Sequence, residues 1–482
     1  MARNANSSAT AQTVLENPPT RQSMPTLRHE LIFQRATQSY LWALPILNMY
    51  AMKEGSEAKF GKGYHVLPIW KKRLNAKTLV TTPNSDVIYA MGYLDLKQDG
   101  PMVIEAPPGL QGILDDFWQR PIPSEGEIDG RRWSGDVGLP GPDEGKGGKY
   151  LILPPDFSGS IPLGYLTFRS GTYGVFVFWR GFFKDPSELE GPVKVMEQTR
   201  IYPLGKEANA KPMQFPDGSG VPVNMLYPHD DSAFDMLKRI IDNEYVDPAD
   251  MSMRGMLAAI GIVRDRPFSP DAEQREIPNK AAQRAFEMGH YIASELIAEL
   301  PGGLFYKDRH YINGFPPGLS PSFAAPTSAV SYTDIELRSG FFAVAYSASP
   351  AMAVNMADIG AKYPTAFKDA DGEFLLGECS YRLHLPANIP VMLFWSVTVY
   401  DAETASGLDN GQAFPSINQM DRPTTNSDGS TDIYLGPKSP GEGKNWLATV
   451  PGKGFFVILR LYGPTQAFYD HTWKPDDIEK TR

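Results

Sequence analysis

Three stretches in the last quarter of the chain place groups that can donate, accept or carry a proton at every second position. In residues 381–385, Arg382 and His384 alternate with Tyr381, Leu383 and Leu385. In residues 391–400, Ser396, Thr398 and Tyr400 oppose Leu393, Trp395, Val397 and Val399. In residues 455–462, Arg460 and Tyr462 oppose Val457, Leu459 and Leu461. A period of two is the side-chain period of a β-strand, so each stretch predicts a strand with one apolar and one polar face. If the three polar faces line one hollow, a guanidinium there can hold a carboxylate and His384 can exchange a proton near neutral pH. Arg382, Arg460 and Tyr462 are then substrate-binding candidates, and His384 and Tyr400 catalytic ones. The ordinary alternative is the wet face of an antiparallel sheet, which needs no function.

Two further clusters carry chemistry. In Thr81-Thr82-Pro83-Asn84-Ser85-Asp86-Val87-Ile88-Tyr89, an extended loop meets a strand. Asp86 there is a candidate base, with Asn84 and the more distant Trp42 as binding partners. Asx side chains at such a junction commonly satisfy loop backbone groups instead. In Asp115-Asp116-Phe117-Trp118-Gln119, an exposed Trp118 beside carboxylates suits sugar stacking, whereas a buried one suits a core edge.

Several common signatures are missing. There is no phosphate-binding loop ending in Lys-Ser/Thr, no dinucleotide fingerprint after a strand and no Gly-x-Ser-x-Gly elbow, so no nucleotide cofactor is expected. The seven histidines are scattered without metal-ligand spacing, so no metal is expected either. Asp369-Ala370-Asp371-Gly372-Glu373 is half of a calcium loop and reads first as an acidic turn. The single cysteine, Cys379, excludes an intramolecular disulfide.

The elements that position these groups follow from pattern. Apolar positions at helical spacing predict a helix over 27–53, with a kink or break at Pro45. Short β-rich runs separated by Gly/Pro turns fill 78–183, interrupted by a glycine-rich loop over 121–149. Helical pattern returns at 232–244, 248–262 and most clearly 271–300. Strand texture resumes near 332 and runs almost to the end. The fold class is therefore mainly β with a helical middle. The divisions are a tail over 1–26, an N-terminal helical segment over 27–75, a β unit over 76–184, a helical domain over 185–310 and a second β unit over 311–482.

At 482 residues the chain exceeds one ordinary core. Its net charge of −10 disfavours nucleic acid and anionic membrane surfaces as partners. No stretch is long and apolar enough to span a bilayer, and the first residues lack the apolar core of a signal peptide. A cytoplasmic location is expected as written, or a periplasmic or secreted one if a leader has been removed.

These motifs also resemble a bacterial and fungal family that joins two domains of unknown function, numbered 1254 and 1214. The first domain is matched by Thr82-Pro83-Asn84-x-Asp86-x-x-Tyr89, Tyr93-Leu94-Asp95-Leu96 and Gly100-Pro101, with the earlier Gln38-x-Tyr40-x-Trp42-x-x-Pro45. The second is matched by Tyr381-Arg382-x-His384-Leu385-Pro386, Phe394-Trp395-Ser396-x-Thr398-x-Tyr400-Asp401, Asp428-Gly429-Ser430-x-Asp432-Ile433-Tyr434 and Arg460-Leu461-Tyr462-Gly463-Pro464. The resemblance implies an immunoglobulin-like β-sandwich, a helical domain and a jelly-roll-like β-sandwich. It implies no activity, and many members carry export signals that this chain does not show. The expected function is an enzyme acting on a small polar molecule or glycan by acid/base chemistry without a cofactor. The alternative is a noncatalytic binding or assembly module, with a homo-oligomer left open.

Overall fold

The computed structural model describes residues 23–325 and 332–481. Most of the expected N-terminal tail lies outside the described residues, and its last part is already helical. The first helix, α1, spans Met24–Phe60 and stays helical through Pro45, so of the expected kink or break the break does not occur. Ala43, Leu44, Ile46 and Leu47 are all buried around that proline, so packing on every side offsets the lost intrahelical hydrogen bond.

The first β unit contains eight strands: β1 (Ile88–Asp95), β2 (Met102–Ala106), β3 (Gln111–Asp116), β4 (Asp136–Gly138), β5 (Gly148–Leu153), β6 (Leu166–Arg169), β7 (Gly174–Gly181) and β8 (Arg200–Pro203). They form two sheets, ordered β1-β7-β3-β4 and β6-β5-β2-β8. The glycine-rich 121–149 stretch is ordered, carrying β4 and bridges such as Pro123 to Ser134. Ile88, Ala90, Leu114, Val177 and Trp179 of one sheet pack on Met102, Ile104, Tyr150 and Ile152 of the other. Alternation then turns Tyr89, Met91, Ile113, Phe176 and Phe178 outward, where they join a second core shared with the helices.

Four more helices complete that layer: α2 (Ser232–Asn243), α3 (Met251–Ala259), α4 (Ala272–Tyr291) and α5 (Ile335–Val344). Asp271 and Gln274 form a reciprocal capping box at the start of α4, and a π-helical turn, Ile292–Leu296, follows its end. The helical layer thus draws on chain segments before the first β unit and between the two. Glu244 ties it to the first unit, accepting hydrogen bonds from Tyr50 Oη (3.1 Å) and the backbone N–H groups of Tyr173 (2.8 Å) and Gly174 (3.1 Å).

The C-terminal unit contains β9 (Ala361–Lys362), β10 (Thr365–Ala366), β11 (Tyr381–Leu385), β12 (Val391–Asp401), β13 (Ser416–Asn418), β14 (Thr431–Gly436), β15 (Asn445–Ala448), β16 (Phe455–Pro464) and β17 (Glu479–Lys480). One sheet has the order β9-β16-β12-β13, with β10 also on β16; the other has the order β15-β14-β11-β17. Their shared core takes Trp395, Val397, Val399, Val457, Leu459 and Leu461 from the first, and Leu383, Leu385, Ile433 and Leu435 from the second. The acidic stretch at 369–373 is a turn, in which Asp369 Oδ1 accepts from the backbone of Asp371 and Glu373. Each β unit contains a parallel pair, β5 with β6 and β14 with β15, so the sheets are mixed. Among the described residues no barrel closes and no helix is long and apolar enough to cross a membrane.

Candidate functional site

The polar faces of β12 and β16 do not meet solvent. They face the outer side of the β1-β7-β3-β4 sheet, and the 81–86 loop is inserted between the two. Asp86 is fully buried and accepts a hydrogen bond from Ser396 Oγ at 2.6 Å, with Ser416 Oγ and Asn418 Nδ2 each at 3.5 Å. Burial pushes its carboxyl pKa up, while nearby Arg460 and the Ser396 hydroxyl pull it back. Tyr400 Oη donates to the Pro83 carbonyl (2.6 Å). Arg460 donates to Thr398 Oγ1 (3.0 Å) and to the carbonyls of Thr82 (3.2 Å) and Pro83 (3.3 Å). Asn84 Oδ1 accepts from the Asp86 N–H (3.1 Å), and its amide nitrogen donates to Tyr89 Oη (2.5 Å) and Tyr462 Oη (3.1 Å). Five of the candidate residues, Asn84, Asp86, Tyr400, Arg460 and Tyr462, therefore converge, drawn together by a loop that saturates a polar sheet face.

The expected single hollow shared by three strands is not formed. β11 belongs to the opposite sheet, so Arg382 and His384 point away from Arg460 toward the surface. Their side chains are 39% and 26% exposed and paired, Arg382 with Glu479 (2.7 Å) and His384 with Asp432 (2.7 Å). Alternation identifies the two faces of a strand but not the sheet that the strand joins. Trp118 is no open stacking platform: it packs on Trp42 at 4.6 Å between ring centres, with the Arg338 guanidinium 5.5 Å away. Among the described residues no hydrogen bond joins Trp42 to Asn84 or Asp86; its carbonyl accepts from Arg338 (2.8 Å).

Beside the inserted loop lies a cavity of about 140 Å³ at the junction of both β units and the helical layer. Phe178, Phe315, Phe341 and Ile458 give it apolar walls, and Asn84, Tyr89, Tyr346, Tyr363 and Tyr462 supply polar atoms. Three cations line it, Arg180, Lys362 and Arg460, and no Asp or Glu of the described residues does. Arg460 and Lys362 are each 3% exposed. Arg460 Nε is buried without a partner, and so is Arg180 Nε. Among the described residues the Arg180 side chain makes no hydrogen bond or ion pair; its guanidinium lies 5.3 Å from the Phe178 ring centre. Lys362 Nζ donates once, to the Met352 carbonyl (3.1 Å), and burial lowers its pKa to about 8. Burial holds the Tyr346 and Tyr462 hydroxyls well above their ordinary pKa, so they remain proton donors at neutral pH. Arg180, Phe182 and Tyr462 also border a wider open cleft of about 1320 Å³.

Beneath the cavity wall sits a buried acid. Ser347, with left-handed backbone (φ 56°), donates its hydroxyl to Asp115 Oδ2 (2.8 Å) and its N–H to Gln119 Oε1 (2.6 Å). Burial raises Asp115 to about 8, the Ser347 hydrogen bond opposing, and raises Asp136 to about 7 against the pull of Arg180. Among the described residues no group of three or more His, Cys, Asp or Glu is placed to hold a metal ion.

Arg180, Lys362 and Ser347 are cavity residues that the sequence pattern did not single out. Arg180 had a signal, since period two places it on the face of Phe176 and Phe178, a lone cation ending an aromatic stripe. Lys362 lies in a two-residue strand too short for any period.

The chain belongs to the family that joins these two domains of unknown function: residues 65–203 match the family described as protein of unknown function (DUF1254), and residues 360–466 match protein of unknown function (DUF1214). Among solved structures it is similar to the VPA0106 protein from Vibrio parahaemolyticus, at 18% identity over 94% of this chain and 100% of that one, with a TM-score of 0.51. It also matches an uncharacterised protein from Burkholderia cenocepacia at 13% identity, over 96% of this chain and 97% of that one, with a TM-score of 0.36. At these identities the first likeness shows the fold alone. No curated protein matches the chain.

Proposed function

We propose that the chain is an enzyme that holds a small organic anion with an apolar body in the central cavity and works on it by acid/base chemistry without a nucleotide cofactor. The observation that carries this reading is the charge of the lining: three cations and no carboxylate, in a protein whose net charge is −10. Buried cations are normally paired, so a guanidinium held without an acidic partner beside an empty volume fits an anion supplied from outside. Apolar cavities near 150 Å³ accept about one benzene ring, which sets the size of the occupant's body. The catalytic form is favoured over a noncatalytic module because the cavity also presents the Tyr346 and Tyr462 hydroxyls, which burial keeps protonated and able to donate. A glycan fits less well, since aromatic and aliphatic carbons dominate the walls and Trp118 is covered.

We assign the finer architecture on the same footing: an immunoglobulin-like first β unit and a jelly-roll-like last one, each modified by its parallel pair. Calorimetric titration of benzoate against its neutral isostere benzamide tests the functional reading. Benzoate is expected to bind the wild type at least tenfold more tightly than benzamide, and Arg180→Gln to erase that preference. Equal affinity for both, or a preference untouched by the substitution, overturns it.

A further inference from the structure

Val391 of β12 pairs with Pro464 of β16, and the next pairing is Phe394 with Tyr462, so β12 bulges between them. A bulge re-aims the side chains it carries, and Met392 and Leu393 here turn outward, 61% and 62% exposed. Both lie over Gly463 of β16: a Cβ on that glycine would stand 3.1 Å from Met392 Cβ and 3.6 Å from Leu393 Cγ. The Gly463 N–H donates to the Gly360 carbonyl (2.8 Å), which brings Ile359, 47% exposed, to the same place. Leu139 of the first β unit, 57% exposed, joins these three in the lining of the cleft of about 1320 Å³. Exposed apolar side chains scattered singly need no explanation, whereas four on one concave surface mark a place for an apolar occupant.

Charge selects that occupant. Arg180, Phe182 and Tyr462 line both the cleft and the cavity. Phe394 stacks on Tyr462 at 4.3 Å between ring centres, and Phe182 stands edge-on to both, at 6.4 and 6.3 Å. This aromatic wall joins the end of β7, which carries Arg180, to the bulge that carries Met392 and Leu393. The other charged groups on the cleft, Lys184, Glu188, Glu190 and Arg422, are exposed, and Glu190 and Arg422 are paired, with Lys194 (2.8 Å) and Asp185 (3.0 Å). Arg180 is only partly exposed, and its side chain has no hydrogen bond or ion pair among the described residues. We propose that the cleft binds a medium- or long-chain monocarboxylate, its carboxylate paired with Arg180 and its methylenes laid along Phe182, Phe394, Met392 and Leu393. This rests on the reading of Arg180 as an anion site, and it extends the ligand class from a ring-sized body to an acyl chain, for which a cavity of about 140 Å³ has no room.

Titration calorimetry of the full chain with hexanoate, octanoate, decanoate and dodecanoate tests the proposal. A fully buried methylene is worth about fourfold in affinity, and one laid in an open cleft about half of that free energy, or roughly twofold. Dodecanoate is therefore expected to bind about 50-fold more tightly than hexanoate, and at least tenfold more tightly than dodecan-1-ol, which lacks the charge. Leu393→Gln and Met392→Gln change exposed side chains; each should weaken dodecanoate at least fivefold and leave benzoate unchanged. Arg180→Gln should weaken both ligands, and benzoate should displace dodecanoate because the two share that guanidinium. Affinity that does not rise with chain length while benzoate still binds overturns the proposal and leaves the cavity's anion site standing. So does dodecanoate that binds together with benzoate, or that is indifferent to Leu393→Gln. A wild type that sediments as a dimer, and as a monomer after Leu393→Gln, also overturns it by making this face an interface between copies. If neither benzoate nor any fatty acid binds, the anion reading falls as well.

Discussion

Replacing Arg180 with Met separates a functional cation from a structural one, because the two roles predict opposite signs. The Arg180 side chain makes no hydrogen bond or ion pair among the described residues, so its replacement breaks none and removes only its approach to Phe178. Burying a charge costs several kcal/mol before compensation. Its partial access to cavity and cleft, a cation–π contact of about 1 kcal/mol and distant attraction to Asp136 reduce that cost. The net is a penalty of about 1–2 kcal/mol that Met, packed against Phe178 and Phe182, does not incur. Arg180→Met is therefore expected to raise the thermal midpoint, by roughly 2 °C per kcal/mol for a cooperative unit of about 250 residues. It should also weaken benzoate binding by roughly 10- to 150-fold, the worth of one charged hydrogen-bonded contact of about 1.5–3 kcal/mol. Scanning calorimetry and titration calorimetry on the same samples read both. A variant that melts earlier and binds benzoate unchanged refutes the reasoning, since it would make Arg180 a structural residue.

Asp115 provides a pH test of the cavity floor. Its folded pKa, about 8, lies above its ordinary 3.8, so the unfolded chain ionises first and stability falls as pH rises from about 4 to 8. Asp115→Asn keeps an acceptor for Ser347, and its urea-unfolding free energy should fall about 2 kcal/mol less across that window; an unchanged slope contradicts the assignment. Asp86→Ala leaves Ser396 unpartnered and Arg460 without its nearby carboxylate, and should cost about 3 kcal/mol by urea unfolding. A loss below about 1 kcal/mol would show that Asp86 does not anchor the inserted loop. His384→Ala removes only a half-exposed pair with Asp432, so it should cost no more than about 1 kcal/mol and leave benzoate affinity unchanged. Loss of binding in that variant would place the site on the opposite sheet.

How far the sequence reaches is set by what a period of two encodes. It separates Ser396, Thr398 and Tyr400 from Trp395, Val397 and Val399, and the apolar set is indeed the core of the C-terminal unit. It carries nothing about what covers the polar set, and a solvated face is the usual outcome for such a sheet. Here the cover is a loop from the first unit, and the Asp86–Ser396 hydrogen bond spans 310 positions of sequence. Such distant pairing has no local signal, so the loop and the strands read as separate constellations. The same blindness put His384 and Arg460 in one imagined hollow, although β11 and β16 belong to different sheets. In α1 the chain stays helical through Pro45, where a kink or break is expected, because tertiary packing outweighs a single lost hydrogen bond. The cavity itself is a product of three converging units, and its lysine sits where no pattern could mark it.

The most direct measurement is crystallographic. Crystals soaked in 4-bromobenzoate and measured at the bromine absorption edge report where an aromatic anion settles. The account predicts a bromine peak among Phe178, Phe315 and Phe341, with the carboxylate turned to Arg180 and Arg460. A cavity that stays without bromine while peaks occur at surface cations, or a carboxylate directed away from both guanidiniums, would contradict it.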